Sequence, residues 1–354
     1  MKIGIAFDLA PTADGPEAEG PDDRFEEFDK PETVEAIAEV LRGEGHEVAL
    51  LGDGREVLAR VLADPPDFVW NLAEGEGVGR CREARVPAAL EMLGIPYTGS
   101  DPLTLAASLD KGMAKRIIKS SHDVRSPRGW TLPVDPEMGE GILGYLFHET
   151  DPAGRSDEAG NLPPLILKPA FEGSSKGIRG NCVVESFEEA VETYRALALD
   201  YAQPILAEEF IAGDEVTVGL VGNNHPLQGG NSFVFGVMRV VPKRPDDRFV
   251  YSLEVKRDWR NRVDYEAPAL LPDPVVAALT IAALDVSAAL GCRDVARIDF
   301  RVRDGVPYFI EANPLPGLAP EVSDLVILAR GHGIGYAELI RKILHAALAR
   351  VGLK

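Results

Sequence analysis

Cysteine is scarce in this 354-residue chain, and its placement argues against a disulfide framework. Cys81, Cys182 and Cys292 are odd in number, lie far apart and form no CxxC pair, which fits a reduced, cytoplasmic compartment. The sequence also lacks an apolar run approaching the roughly 18 residues that a membrane span needs. The start, MKIGIAFDLA, has no extended basic and apolar leader and is typical of a buried first strand, so we expect no signal peptide.

Basic residues are also in short supply. The chain has 37 Lys and Arg against 57 Asp and Glu, which gives a net charge of −20. A field of that sign repels a phosphate backbone, so nucleic acid is not an expected partner. A solvated surface accounts for the acidity. The length favours two or three domains over one.

The first third of the chain alternates strand-like and helix-like stretches. Residues 3–7 and 65–75 are strand-like, and between them Val34, Ile37 and Leu41 fall on one helical face. Such alternation predicts an α/β fold with a mostly parallel sheet and helices on both faces.

Loops at the carboxyl ends of parallel strands form ligand sites, which here indicates residues 8–28 and 71–74. Beyond this region, residues 215–222 alternate like an antiparallel strand, and residues 233–256 hold further strand candidates. Residues 133–164, rich in Pro, Gly and acidic residues, are predicted to form a surface insertion with one or two helical turns. Helices are predicted over 110–122, 186–199, 274–291 and the C-terminal ELIRKILHAALARV.

A hairpin near the C-terminus gathers two carboxylates and an amide. Glu311 and Asn313 lie two apart, so their side chains share one face of a strand. Pairing across the Asp304-Gly305 turn brings Asp299 near that face. Such a set suits a hard cation such as Mg²⁺, whose other ligands are waters and phosphate oxygens. The alternative is a solvated sheet face.

The segment KPAFEGSSKG (168–177) joins two strands through a loop of glycines and serines. Glycines let backbone amides approach an anion, serines add hydroxyl donors, and Lys168 adds a point charge, so the segment favours a polyphosphate ligand. It has no GxxxxGK[ST] spacing, and a plain glycine hairpin is the alternative. In AEEFIAGDE (207–215), Glu208 and Glu215 can accept hydrogen bonds from an adenine amino group and ribose hydroxyls, or can be surface charges.

Taken in order, these elements resemble ATP-grasp enzymes, and most closely the D-alanine–D-alanine ligase family. The resemblance covers nearly the whole chain. The matching segments are MLGIPYTGS (92–100), DKGMAKR (110–116), LKPAFEGSSKGI (167–178), EEFIAGDEVTVG (208–219), ARIDFRV (296–302) and EANPLPGLAP (311–320).

The resemblance implies a Rossmann-like parallel-sheet domain followed by a two-subdomain ATP-grasp fold, of overall class α/β (α+β). The implied boundaries are an N-terminal domain over 1–110, a central subdomain over 111–215 and a C-terminal subdomain over 216–354. It further implies a homodimer formed through the first domain, small-molecule amino-acid substrates, and ATP with Mg²⁺ as cofactors, two ions in number, with Mn²⁺ as the alternative.

The resemblance also implies roles for individual residues. Implied nucleotide contacts are Lys111, Lys168, Glu172, Ser174, Ser175, Glu208, Glu209, Ile211, Glu215, Lys256 and Ile310. Implied catalytic residues are Arg297, Ser174, Gly317 and Lys256. Implied substrate contacts are Glu26, Asn71, Glu74, Arg257, Arg297 and Gly317. Implied magnesium ligands are Asp299, Glu311 and Asn313.

The amino-acid side departs from the family pattern. For the glutamate that holds the first substrate's ammonium, Glu26 is the best positional match, with Glu27 and Asp29 as competitors. The family's HGxxGEDG-like segment is replaced by NLAEGEGVGRCREARVP. In this segment Asn71, Glu74, Arg82 and Glu83 can take a related role with different geometry. Where the family often has a Ser-Leu pair after PLPG, this sequence reads LAPEVSD, and Val322 or Ser323 occupies that place.

A flexible loop over the family's site carries a Lys-Tyr pair, and here Lys256 is followed by Arg257. We predict that Arg257 meets an anionic substrate group, and a solvated loop is the alternative for its neighbours Arg260 and Arg262. The nucleotide half of the pattern is therefore retained while the specificity half is rewritten. The implied activity is an ATP-dependent carboxylate–amine ligase of the D-alanine–D-alanine type. The alternatives are a ligase for another amino acid or dipeptide and a non-catalytic ATP-binding regulatory homologue.

Overall fold

A computed structural model of the chain describes residues 1–11, 20–121, 123–148, 163–223, 233–244, 246 and 248–353. Its N-terminal part holds a three-stranded parallel sheet of order β2-β1-β3, formed by β1 (Lys2–Ala6), β2 (Glu47–Gly52) and β3 (Phe68–Asn71). Four helices accompany it: α1 (Pro31–Gly43), α2 (Gly54–Ala63), α3 (Arg85–Leu93) and α4 (Pro102–Leu109).

Both faces of this sheet are covered, as the sequence predicts. Phe68 and Trp70 of β3 pack in the cluster that holds the buried face of α1, whereas Val69 packs with residues of α2 and α3. Neighbouring residues of a strand point to opposite faces, so one short strand serves both clusters. The predicted parallel α/β unit is confirmed.

The middle of the chain forms a four-stranded antiparallel sheet of order β4-β7-β5-β6. Its strands are β4 (Gly129–Leu132), β5 (Leu165–Pro169), β6 (Val183–Val184) and β7 (Ile205–Glu209). The helices of this region are α5 (Lys111–Ser121), α6 (Pro136–His148) and α7 (Phe187–Tyr201).

The prediction of only one or two helical turns in the insertion was wrong. Helix α6 has 13 residues, and Leu143 and Leu146 are buried in the core shared with α7. The apolar piece ILGYLF therefore belongs to a packed helix, since its buried side chains favour regular structure over a loop. The rest of the predicted insertion up to residue 162 lies outside the described residues.

The last part of the chain forms a five-stranded antiparallel sheet of order β10-β9-β8-β11-β12. Its strands are β8 (Asp214–Val221), β9 (Phe233–Pro242), β10 (Val263–Glu266), β11 (Val295–Arg303) and β12 (Val306–Asn313). Its helices are α8 (Leu253–Arg257), α9 (Trp259–Arg262), α10 (Asp273–Leu290), α11 (Asp324–Gly331) and α12 (Tyr336–Val351). Among the described residues of the predicted region 233–256, strand structure ends at Pro242 and helix α8 begins at Leu253.

The hairpin β11–β12 has the predicted turn. Asp304 and Gly305 have φ of 52° and 75°, the left-handed conformation that a two-residue hairpin turn requires. The resulting register places Asp299 directly opposite Glu311 and Arg297 opposite Asn313. The hairpin prediction is confirmed.

Helix α10 is long and apolar enough, by length and composition alone, to span a membrane, with a mean hydropathy of 1.6. The expectation of no such run was too strict, because the helix reaches 18 residues with few charges. Its buried residues, among them Leu279, Ala283 and Val286, pack in one cluster with Ile298 and Phe300 of β11. The helix is thus part of the core beneath the five-stranded sheet.

Candidate active site

Two adjoining cavities lie where the two antiparallel sheets face each other. The first, which we call the intersheet cavity, is lined by β5 and β7 of one sheet and β8, β11 and β12 of the other. The second, the loop cavity, lies beside it and is lined by the loops that follow β3, β5 and β12. Arg297 and Glu311 line both cavities.

Most of the predicted nucleotide contacts line the intersheet cavity. They are Lys168, Ser175, Glu208, Glu209, Ile211, Glu215, Lys256 and Ile310. The other three, Lys111, Glu172 and Ser174, line the loop cavity instead. The structure therefore brings the predicted segments together. The order of these segments in the sequence did not show which residues would line which cavity.

A buried charge cluster forms one wall of the intersheet cavity. Glu208 is 1% exposed, and its carboxylate accepts a hydrogen bond from Lys168 and lies 3.0 Å from Lys115 Nζ. Burial raises the pKa of Glu208, but the two ammonium groups outweigh it and lower that pKa overall. Burial lowers the pKa of Lys115 to about 8 despite Glu208. Sequence analysis missed Lys115, although its place one turn after Lys111 puts both on one helical face.

A second buried pair lies further along the same cavity. Arg301 donates to Glu215 Oε2 at 2.6 Å and to the backbone oxygen of Ile211 at 2.9 Å. These bonds join β11 to Glu215 on β8 and to Ile211 in the turn before it, both of which are predicted nucleotide contacts. Glu209, also predicted, pairs with Arg303 at 3.1 Å at the rim.

The predicted metal ligands converge on the hairpin. Asn313 Nδ2 donates to Asp299 Oδ2 at 3.0 Å, and Thr217 Oγ1 donates to Asp299 Oδ1 at 2.9 Å. Burial, together with the facing Glu311 carboxylate, raises the pKa of Asp299 to about 6 although Arg297 acts against it. Burial also raises the pKa of Glu311, but nearby lysines and Arg297 hold it at about 2. Two carboxylates and an amide thus share one buried face.

This set fits a hard cation. Like charges placed directly opposite on neighbouring strands are unfavourable, and a divalent ion between them would offset that repulsion. The described residues contain no cluster of three His, Cys, Asp or Glu that could hold a metal by itself. The remaining ligands would therefore be the amide of Asn313, waters and phosphate oxygens, as Mg²⁺ prefers.

Arg297 lies between this face and helix α11. Its Nη2 is 2.9 Å from Asp299 Oδ2 and its Nη1 is 3.5 Å from Asp324 Oδ2. The side chain is about one-tenth exposed, and the pKa of its guanidinium is raised because three carboxylates outweigh the cost of burial. It is a fixed positive charge at the junction of the two cavities.

The loop between β5 and β6 has an unusual backbone. Ser174 and Ser175 both have positive φ, 48° and 61°, a conformation that residues other than glycine seldom adopt. Such strain is maintained where a loop must present its groups in one way. Ser175 Oγ donates to the backbone oxygen of Tyr251 at 3.0 Å, which joins this loop to the segment before α8.

The loop cavity collects the remaining predicted residues. Lys111 Nζ donates to the backbone oxygen of Glu172 and lies 3.3 Å from Glu311 Oε2. Gly317 lies in the loop after β12, where an added Cβ would be 3.1 Å from Ser323 Oγ. Ser323 itself accepts a hydrogen bond from the Ala319 amide at 2.9 Å, so the loop is held in place.

The structure places Glu27 in the loop cavity, whereas Glu26 lies outside it. Glu26 is bonded to Arg257 at 2.7 Å on the surface, which does not suit its predicted contact with the first substrate. Glu27 is 4% exposed and lies 2.8 Å from Arg82 and 3.0 Å from Lys176. Those cations lower its pKa although burial acts against them. The two glutamates are adjacent in a loop without periodicity, so the sequence could not separate them.

Two further acidic residues face the same cavity, Glu74 and Glu83. Burial, with the other carboxylates, raises the pKa of Glu83 to about 8 and the pKa of Glu74 well above its usual range. Among the predicted residues, Asn71 lines neither cavity, since its Oδ1 accepts from the Ala73 amide at 3.3 Å. Burial and Asp8 raise the pKa of Asp29, the third candidate, to about 7, and it too lies outside the loop cavity.

Arg257 is not among the residues that line the two cavities. It pairs with Asp22 at 2.8 Å and with Glu26 at 2.7 Å, and 41% of its side chain is exposed. The predicted contact with an anionic substrate group stays a prediction, and the partners that the structure gives Arg257 are two carboxylates. Its carboxylate partners lie in a loop some 230 residues earlier in the chain, which is why sequence reasoning missed them.

Comparisons with known proteins agree with this geometry. Residues 150–345 match the family model for the D-alanine–D-alanine ligase C-terminus. The chain is 32% identical to the D-alanine–D-alanine ligase of Moorella thermoacetica over 88% of this chain and 92% of that protein. It is also 32% identical to the ligase of Aquifex aeolicus, over 88% of this chain and 93% of that protein.

The fold is shared with solved structures. The D-alanine–D-alanine ligase from Bacillus anthracis complexed with ATP superposes with a TM-score of 0.69 and 22% identity, covering 100% of this chain and 99% of the other. The VanG D-Ala:D-Ser ligase from Enterococcus faecalis gives a TM-score of 0.69 at 19% identity, over 98% and 99%. The sequence relatives and the family model together establish that this chain belongs to the D-alanine–D-alanine ligase family.

Proposed function

We propose that the protein is an ATP-dependent, ADP-forming carboxylate–amine ligase that makes a peptide bond through an acyl phosphate, with D-alanine as the leading substrate. The observation that carries this proposal is the junction of the two cavities at Arg297 and Glu311. A phosphate-binding cavity that opens onto a second cavity lined by carboxylates suits transfer of a phosphoryl group to a bound amino acid.

The lysines supply the positive charge that phosphoryl transfer needs. Lys168 and Lys256 line the intersheet cavity, and Lys111 lines the loop cavity near Glu311. A carboxylate is a poor electrophile, and the acyl phosphate gives it a good leaving group. The lysines stabilise charge that develops on the transferred group. Asp299, Glu311 and Asn313 would hold two Mg²⁺ ions, with Mn²⁺ as the alternative, and the metal would neutralise phosphate charge when bound.

The second step is attack of an amine on the acyl phosphate. Arg297 and Gly317 both line the loop cavity, and we assign the Arg297 guanidinium and the Gly317 backbone amide to stabilising the tetrahedral oxyanion. Carbon–nitrogen bond formation breaks the carbon–oxygen bond to phosphate, and the amine loses its proton. Ser174, Glu27 and Glu74 line the cavity that would hold the first amino acid. Exclusion of water keeps the acyl phosphate from hydrolysis.

One observation favours a substrate pair other than D-alanine alone. Glu27 is already neutralised by Arg82 and Lys176, so it has little charge left for a substrate ammonium. Four other glutamates line that cavity. Glu172 is paired with the same two cations and Glu311 lies near Lys111, which leaves Glu74 and Glu83. A ligase for a different amino acid or dipeptide is therefore the second candidate.

The remaining assignments follow the same proposal. We propose domains over 1–110, 111–215 and 216–354. The three sheets, within residues 2–71, 129–209 and 214–313, support this division except that the second boundary falls two residues inside β8. We place the protein in the cytoplasm as a homodimer formed through the first domain, acting on amino acids rather than on nucleic acid or membranes.

The test is phosphate release from ATP and Mg²⁺, screened against single and paired amino acids of both hands, with mass spectrometry of the products. Substrate carboxylate labelled with ¹⁸O must transfer one label to phosphate if an acyl phosphate forms. Release with D-alanine alone, giving its dipeptide, supports the leading proposal, and release only with another pair supports the second. No turnover with any pair, despite ATP binding, would favour a regulatory ATP-binding homologue.

A further inference from the structure

Asp324 has a buried carboxylate that contacts Arg297 and Lys256. The proposed mechanism assigns no role to this carboxylate. It lies in the first turn of α11 and is 7% exposed. Its Oδ1 accepts a hydrogen bond from the Tyr251 hydroxyl at 3.0 Å. Its Oδ2 is 3.5 Å from Arg297 Nη1 and 3.7 Å from Lys256 Nζ.

These three partners come from different parts of the structure. Arg297 lies on β11, whereas Tyr251 and Lys256 belong to residues 250–257, which we call the lid segment. The lid segment is also held by the Ser175 hydroxyl on the Tyr251 backbone oxygen and by the Leu253 amide on the Ile178 oxygen. Asp324 is thus the charged group through which the lid segment contacts the arginine of the acyl centre.

The charges explain why one carboxylate can serve all three. Two cations converge on Asp324 Oδ2, and attraction between unlike charges is strong in a buried site. The Tyr251 hydroxyl, whose pKa burial and Asp324 raise well above its usual range, stays protonated and keeps donating to Oδ1. Tyr251 is bonded in turn to the Tyr265 hydroxyl at 2.5 Å, which fixes its ring.

We propose that Asp324 is a positioning residue that couples closure of the lid segment to the placement of Arg297 and Lys256. When the lid segment is closed, Asp324 holds Lys256 over the intersheet cavity and keeps Arg297 directed at the junction with the loop cavity. The expected effect of Asp324 on catalysis rests on the proposed function. Its expected effect on the lid segment rests on the contacts alone.

The test is the substitution Asp324→Asn, which keeps the shape and the acceptor for Tyr251 but removes the charge. Asp273→Asn is the matched control, because Asp273 is also in the first turn of a helix but is exposed. Tyr251→Phe is the second variant, since it removes one lid contact and leaves the Asp324 charge in place. Thermal unfolding shows whether each variant folds.

The first readout needs no turnover. Trypsin cleaves after Lys256 and Arg257, so we expect the lid segment of Asp324→Asn to be cut several-fold faster than that of the parent protein, with and without a non-hydrolysable ATP analogue. Tyr251→Phe should give a smaller increase and Asp273→Asn none. Equal cleavage of Asp324→Asn and the parent would overturn the proposal, whatever the reaction proves to be.

The second readout is the ratio of phosphate released to peptide bond formed. A misplaced arginine and an open lid segment should lower kcat by about 10²-fold and admit water to the acyl phosphate, so the ratio rises above one. A lower kcat with a ratio of one and unchanged cleavage indicates a merely structural role and also overturns the proposal. If no amino acid supports turnover, the proposed function fails while the cleavage result still decides the role of Asp324.

Discussion

At the scale of the residue, the site depends on groups whose charge is fixed by their neighbours. Arg297 is bonded to Asp299 through both Nε and Nη2, so the fork of the guanidinium is used fully. A lysine keeps the charge but cannot reproduce two parallel hydrogen bonds. The orientation of the Arg297 guanidinium therefore depends on these paired hydrogen bonds as well as on its charge.

We predict that Arg297→Lys lowers kcat by about 10²- to 10³-fold, the usual cost of losing an oxyanion donor. The melting temperature should change little, because a cation still faces Asp299. The measurement is steady-state kinetics beside thermal unfolding, with Arg293→Lys as the control because Arg293 lines neither cavity. Equal loss of activity in both variants would contradict the assignment.

Glu83 gives a prediction about pH. Its pKa is raised from 4.5 to about 8, so between those values the folded protein holds a proton that the unfolded chain has released. The free energy of unfolding must then fall as the pH rises through this window. Glu83→Gln removes the titrating group, so we expect a flatter decline between about pH 5 and pH 8.

Urea unfolding at several pH values measures this decline. Glu39→Gln, at an exposed position on α1, serves as the control and should keep the parent slope. A parent protein whose stability rises with pH over the whole window, or a Glu83 variant with the parent slope, would show that Glu83 ionises normally.

At the scale of the element, the lid segment is joined to the N-terminal loop by exposed ion pairs. Arg257 pairs with Asp22 and Glu26. Arg179, in the loop between β5 and β6, pairs with both Asp22 and Glu254 of the lid segment. Exposed pairs contribute little each, about 0–1 kcal/mol, and salt screens them. Together they still attract the lid segment to the N-terminal loop at low ionic strength.

We therefore predict that Arg257→Ala raises KM for ATP several-fold at low salt and has no effect near 0.5 M salt, where the Debye length is only about 4 Å. The measurement is KM at both ionic strengths. Arg262→Ala is the control, since Arg262 pairs only with Asp258 four residues away among the contacts described. A loss that persists undiminished in high salt would point to a direct substrate contact instead.

Helix α6 provides a test of the corrected insertion. Leu143 is fully buried against α7 and the four-stranded sheet, so Leu143→Ala should lower the free energy of unfolding by about 2–5 kcal/mol. Met138→Ala, on the same helix but 62% exposed, should cost well under 1 kcal/mol. Denaturant unfolding measures both, and equal effects would contradict the packed helix.

At the scale of the whole molecule, segments with local signals were predictable. The hairpin β11–β12 follows from alternation and an Asp-Gly turn, and the loop at 168–177 follows from its glycines and serines. Those signals lie within a few residues of each other, so the chain's order is enough to read them.

Residues whose roles depend on distant partners were not predictable. Glu27 is distinguished from Glu26 by contacts with Arg82 and Lys176, which lie about 55 and 149 positions away. Asp324 is distinguished from other helix-start aspartates only by the lid segment and Arg297. The part of the site proposed to bind the amino acids depends on such contacts between residues distant in sequence. This is why its segments resembled the family least.

The junction of the two cavities has a thermodynamic consequence. Arg297 and Glu311 line both cavities. A nucleotide in the intersheet cavity that alters the charge around them therefore changes the free energy with which an amino acid binds in the loop cavity. Linkage requires the effect to be reciprocal: the factor by which ATP tightens the amino acid equals the factor by which the amino acid tightens ATP. The two ligands therefore act as effectors of each other through the two side chains that both cavities share.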